Sequence, residues 1–129
     1  MQILQPPAWA RAKGFSNGIA ASGRLVFIAG QIGWTGEGKW EARDFAGQFR
    51  QAIKNILAVL AEANGKPEHI VRLTWYVLDK QEYLDSLKGV GEAYRELMGK
   101  HYPTMAVVQV SGLVERNARL EIEATAVIP

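Results

Sequence analysis

The chain alternates between short apolar runs of period two and longer stretches of period three to four, with Gly-, Pro- and Asn-containing breaks between them. Leu120, Ile122, Ala124 and Ala126 point one way, and Glu121, Glu123, Thr125 and Val127 the other. That is the pattern of a half-covered strand. The segment before it, running from His101, supplies a second strand, and a polar turn at Glu115-Arg116-Asn117 joins the two. Ile70 to Leu78 is rich in β-branched and aromatic residues and reads as a central strand. Gly18–Ala21 and Arg24–Ala29 read as a hairpin turned at Ser22-Gly23. The unbroken run Leu25-Val26-Phe27-Ile28 suits a strand covered on both faces.

Between these strands the period changes. Phe45, Phe49, Ala52, Ile53, Ile56, Leu57 and Leu60 form one helical stripe behind a capping Asp44, and Asn64-Gly65-Xaa-Pro67 ends it. Gln48 falls outside the stripe. Asp79, with Glu82 three residues on, opens a second helix through Tyr83, Leu87, Val90, Tyr94 and Leu97 to Gly99. Gly89 and Gly91 inside it imply close packing or a kink. The order strand, strand, helix, strand, helix, strand, strand is α+β: a mixed sheet of about six strands with two helices on one face. Residues 1–13, with Pro6-Pro7 and Trp9, read as an extended arm on a single domain spanning 1–129. One helix layer leaves the other sheet face uncovered and predicts an oligomer.

Composition narrows the chemistry. There is no Cys, which removes disulfides, thiolate nucleophiles and cysteine metal sites, and two His make a histidine-rich metal site equally unexpected. The net charge of +2 is spread without a basic block, so nucleic acid is not an expected partner. No apolar run approaches the roughly 20 residues of a membrane span, and the N-terminus lacks signal-peptide order, so a cytoplasmic protein is expected. His69 and His101 read as solvated. Trp34 and Trp40 flank a polar loop, which they would pin to the core more readily than stack on a ligand. Gly30, at a strand end, marks either a bulge or a close approach by ligand or backbone.

Five segments in order carry a resemblance: Phe-Ser-Asn-Gly from Phe15, Val-Phe-Ile-Ala-Gly-Gln-Ile-Gly from Val26, His-Ile-Val-Arg-Leu-Thr-Trp-Tyr-Val-Leu-Asp from His69, Tyr-Pro-Thr-Met from Tyr102 and Leu-Glu-Ile-Glu-Ala-Thr-Ala-Val from Leu120. Together they resemble the RidA/YjgF family, also labelled L-PSP endoribonucleases. The resemblance implies a chorismate-mutase-like fold, a homotrimer with small-molecule sites in its three inter-subunit clefts, and cofactor-free hydrolysis of imines or enamines to ammonia and a 2-keto acid. It also implies a set of site residues. Glu121 matches the acid that positions or activates water, and Gly30 the backbone position that contacts ligand. The family's carboxylate-gripping Arg, from Pro-Ala-Arg-Ser, is replaced by Met105, next to Thr104 in the same substrate-binding stretch. Its pocket Tyr is replaced by Phe15, and the Ser before Gly30 by Ala29. With Trp34, these substitutions imply a more apolar pocket and an altered substrate, such as an aromatic or ring-cleavage-derived imine. A metabolite-binding trimer without chemistry is the alternative. A ribonuclease ranks last, because the chain offers neither a His/Lys acid–base pair nor a basic aromatic groove.

Overall fold

The computed structural model describes all residues 1–129. Six strands form, divided between two sheets. β1 (Gln2–Leu4) and β2 (Gly18–Ala20) make a small antiparallel ribbon, and β3 (Arg24–Ile32), β6 (Leu120–Ile128), β4 (Ile70–Val77) and β5 (Thr104–Gln109) make the main sheet in that spatial order. The helices are α1 (Phe45–Ala61), α2 (Lys80–Asp85) and α3 (Leu87–Met98). β6 is antiparallel to both neighbours, whereas β4 and β5 are parallel. A parallel pair needs a long crossover, and α2 with α3 supplies it.

Two expected pairings are not formed. β2 pairs with β1 from the arm instead of with β3, although the turn at Ser22-Gly23 lies between them. Gly23, at φ 146°, sits against the carbonyl of Ile128 at the end of β6, where a side chain would collide with backbone. The last two strands also do not pair with each other, because β6 inserts between β3 and β4 and leaves β5 at the edge. The place between β3 and β4 lets β6 bury Leu120, Ile122 and Ala126 completely.

α1 covers the inner face. Asp44 caps it, its Oδ2 accepting from Gly47 N at 3.3 Å, and Phe49, Ala52, Ile53, Ile56 and Leu60 are fully buried against β3, β6 and α3. Each large side chain so buried contributes about 1.5–3 kcal/mol of apolar transfer. Asn64 adopts φ 61°, and Gly65 N returns to Leu60 O at 3.0 Å, closing the helix. The second helix is not continuous: it breaks at Ser86, and α3 starts afresh. Gly89 lies within α3 where a Cβ would come 2.9 Å from Ala46 Cβ, so that glycine serves α3–α1 packing and the bend lies elsewhere. The two histidines are half-buried and engaged, contrary to the solvated reading: His101 Nε2 lies 2.6 Å from Ile70 O, and His69 Nδ1 accepts from Lys66 N at 3.0 Å.

The outer face of the sheet carries no helix. Phe27 is 75% exposed there, and Leu25 and Val108 are exposed with it. Arg72, Thr74, Tyr76, Glu121, Glu123 and Thr125 complete the face by strand alternation.

Candidate functional site

The outer face holds one half of the expected site. Glu121 stands opposite Tyr76 on β4, and Glu123 stands opposite Thr74. Tyr76 donates its hydroxyl to Glu123 Oε1 at 2.7 Å, and this hydrogen bond, first among several causes, raises the phenol's pKa. β3 bulges between Ile28 and Gln31, so Ala29 and Gly30 have no regular partners on β6. Over that bulge lies the half-buried carboxylate of Glu121: a Cβ on residue 30 would overlap its Oε2 and come 2.9 Å from its Cδ. Gly30 therefore sits at a bulge, and what approaches it is the Glu121 side chain and not another backbone. Glu121 forms no hydrogen bond or ion pair with another side chain, which leaves it free to hold water. Next to it a hollow of about 540 Å³ is lined by Phe27, Ala29, Arg72, Thr74, Glu123 and Thr125.

Met105 is elsewhere. In the β4–β5 register it pairs with buried Leu73, so its side chain turns to the helix face. There it lines a separate cavity of about 220 Å³ with Trp75, Tyr94, Arg95 and Tyr102. Phe15 is exposed just beyond the arm, at the edge of two shallow surface hollows. The segment after the arm is anchored just before β5, Ser16 N donating to Pro103 O at 3.1 Å and Ser16 Oγ to Tyr102 O at 2.5 Å, and Gly14 joins the wall of the Met105 cavity. Thr104 Oγ1 donates to Val71 O at 2.7 Å, which occupies its proton in tying β5 to β4.

Trp34 joins neither group. Asn55 Nδ2 donates to Trp34 O at 2.7 Å, and the Trp34 and Trp40 rings lie 5.9 Å apart at 47°, so the pair pins its loop beside α1. Within one protomer the expected residues thus divide into Glu121, Gly30 and Ala29 on the outer face, Thr104 opposite Arg72 at that face's β5 edge, Met105 on the helix side, and Phe15 and Trp34 apart from both.

The structure adds residues that periodicity did not single out. Gln48, outside the apolar stripe, is 1% exposed and bonds three backbone groups: Nε2 donates to Ala42 O and Asn117 O at 3.3 and 3.0 Å, and Oε1 accepts from Arg119 N at 2.8 Å. It fixes the loop that delivers β6. Arg119 then clamps Glu82 of α2 through Nε and Nη2, at 3.0 and 2.5 Å, and this hydrogen bonding holds the guanidinium above its usual pKa. The spacing of Gln48 from Phe45 and Ala52 is helical, and only its polarity concealed its burial. No three His, Asp or Glu residues gather into a metal-binding group.

A family profile described as Endoribonuclease L-PSP matches residues 6–128. A RutC family protein from Aquifex aeolicus is 32% identical over 126 residues, 98% of each chain. The 2-iminobutanoate/2-iminopropanoate deaminase of Salmonella typhimurium is 31% identical over 108 residues, 81% of this chain and 80% of that one. Among solved structures, the Rid family protein YyfB from Yersinia pestis superposes with a TM-score of 0.87 at 27% identity, covering 98% of both chains.

Proposed function

The chain belongs to the endoribonuclease L-PSP family, the RidA/YjgF proteins, and from that premise we propose that it is a cofactor-free hydrolytic deaminase of 2-imino acids, acting in clefts between the subunits of a homotrimer. The observation that carries the proposal is the carboxylate of Glu121 lying over the bare backbone of Gly30 on an uncovered sheet face. A relative at 31% identity is a 2-iminobutanoate/2-iminopropanoate deaminase, which favours the same class of substrate here.

In the proposed reaction Glu121 accepts a proton from water while the water oxygen bonds to the imine carbon. The C=N pair moves to nitrogen, which takes up a proton. Collapse of the carbinolamine expels ammonia and leaves a 2-keto acid, so one imine and one water give one ammonia and one keto acid. General base catalysis of this kind contributes about 10²–10⁴-fold. The division of the expected residues between two sides of the sheet supports a composite site: Glu121 and Gly30 from one subunit would face Met105 and its cavity from the next. The exposed Leu25, Phe27 and Val108 are the apolar surface such an assembly would cover.

The test is ammonia release from freshly generated 2-iminobutanoate and from the imine of phenylpyruvate, against the buffer rate. The expected result is turnover that Glu121→Gln lowers about 100-fold or more with an unchanged melting temperature. Wild-type rates equal to buffer on both imines would overturn the proposal. Binding of the keto-acid product without turnover would then leave the reading of a metabolite-binding trimer.

A further inference from the structure

The cavity behind Met105 is apolar, with one charged side chain in its wall, Arg95. That guanidinium has no carboxylate within ion-pair distance, although acids flank it on its own helix. Glu92, three residues earlier, is spaced for a helical ion pair and does not form one. Glu96 instead pairs with Arg50 of α1. Arg95 folds back one turn over Gly91, where a Cβ would come 3.3 Å from its Nη1. With no side chain at 91 the guanidinium is uncrowded at the cavity mouth.

The ring of Trp75, 4% exposed, belongs to the same wall and stacks on Phe49 at 4.8 Å. The apolar part of the wall is formed by Tyr94 and Tyr102, stacked at 5.3 Å and 4°, and by the Met105 thioether. Tyr94 has already spent its proton on His101 O at 2.5 Å. The volume, about 220 Å³, lies below the roughly 300–1,000 Å³ of drug-sized pockets and suits a small metabolite. A guanidinium at the mouth of an apolar recess selects a small anion with an apolar body, and its fork matches a carboxylate best.

We propose that this cavity binds the carboxylate end and the apolar or aromatic side group of a small organic acid, with Arg95 gripping the carboxylate that Met105 cannot. Its link to turnover rests on the deaminase reading; the binding site itself does not. Position 105 and Arg95 line the same space, so a cation supplied from either would serve one anion. An apolar residue at 105 then favours a more apolar side group than the propanoate and butanoate skeletons carry.

The experiment is titration calorimetry of the whole protein with phenylpyruvate and with its uncharged methyl ester, on wild type, Arg95→Met, Arg95→Lys and Arg95→Met/Met105→Arg. Arg95 is exposed, so these variants are expected to fold, with melting temperature as the check. Losing a charge-assisted pair should weaken phenylpyruvate binding about 10- to 100-fold in Arg95→Met. The ester should bind wild type and Arg95→Met alike, Arg95→Lys should recover part of the loss, and Met105→Arg should restore binding in the double variant. Phenylpyruvate binding that is absent in wild type, or equal in Arg95→Met, would overturn the inference. Arg95-dependent binding in a protein that releases no ammonia would sink the deaminase reading and leave this site standing. Ammonia release with a KM indifferent to Arg95 would do the reverse.

Discussion

A methyl group at residue 30 gives the sharpest test of how the outer-face site is built. Gly30 is not among the glycines with left-handed φ, so Ala there brings no backbone strain. Its Cβ would overlap Glu121 Oε2 and stand 2.9 Å from both Cγ and Cδ. All three atoms belong to the far part of one flexible side chain, which can swing aside at the cost of a poorer rotamer, about 0.5–1.5 kcal/mol. Gly30→Ala should therefore cost about 1 kcal/mol of stability. In a Glu121→Ala background the obstructing atoms are gone, and the same change should cost less than about 0.3 kcal/mol. The coupling of about 1 kcal/mol exceeds the roughly 0.3–0.5 kcal/mol within which independent sites add. Urea denaturation of the four proteins at one fixed protomer concentration measures it, the concentration being held because assembly would shift the midpoint. Activity should respond more strongly, since displacing a catalytic group by about 1 Å can cost 10²-fold. Additive stability changes, or a Gly30→Ala protein with the full rate while Glu121→Gln is inactive, would refute the idea that residue 30 is bare to seat this carboxylate.

Three further outcomes follow from the same geometry. Gln48→Leu keeps the side-chain volume but strands Ala42 O, Asn117 O and Arg119 N; at 1–3 kcal/mol for each unmet group, a loss of about 3 kcal/mol or more is expected, read as a fall in melting temperature, and a loss below about 1 kcal/mol would contradict it. Burial, and secondarily Tyr102, raises the Tyr94 phenol well above its ordinary pKa of 10.0. The folded pKa exceeds the unfolded one, so this stability is intact below about pH 10 and is lost above it, by at most about 1.4 kcal/mol per pH unit; a melting-temperature series from pH 8 to 11.5 should show the fall, and Tyr94→Phe should flatten it. Phe27→Lys places a charge on the uncovered face and should shift the sedimentation mass toward a single protomer, whereas an unchanged mass would move the interface away from that face.

What could be read from the sequence depended on whether the controlling interaction is local. α1, β4 and β6 were legible because one buried face imposes a period, and Asp44 and Asn64-Gly65 mark the ends of α1 by chemistry confined to a turn. Partner choice between strands leaves no comparable mark. Nothing in Gly18–Ala20 distinguishes pairing with β3 across a tight turn from pairing with Gln2–Leu4, and nothing in β6 states that it will separate β3 from β5. Gln48 shows the opposite failure: its position was legible, but its residue type argued for solvent until three backbone partners were in place around it.

The layout of the candidate site turns on the same level. Glu121 and Met105 each lie on an alternating strand, and each side chain's orientation within its own strand follows from parity. Whether the two orientations agree depends on β4, which places Leu73 opposite Met105 and Tyr76 opposite Glu121. Leu73 is buried and Tyr76 is not, so Met105 and Glu121 project from opposite faces of one sheet and no side-chain rotation brings them together. A reaction that needs both must then recruit one of them from a second copy of the chain. The face carrying Glu121 is also the face that leaves Phe27 in water, so a second copy that covered the exposed apolar surface would cover this carboxylate with it.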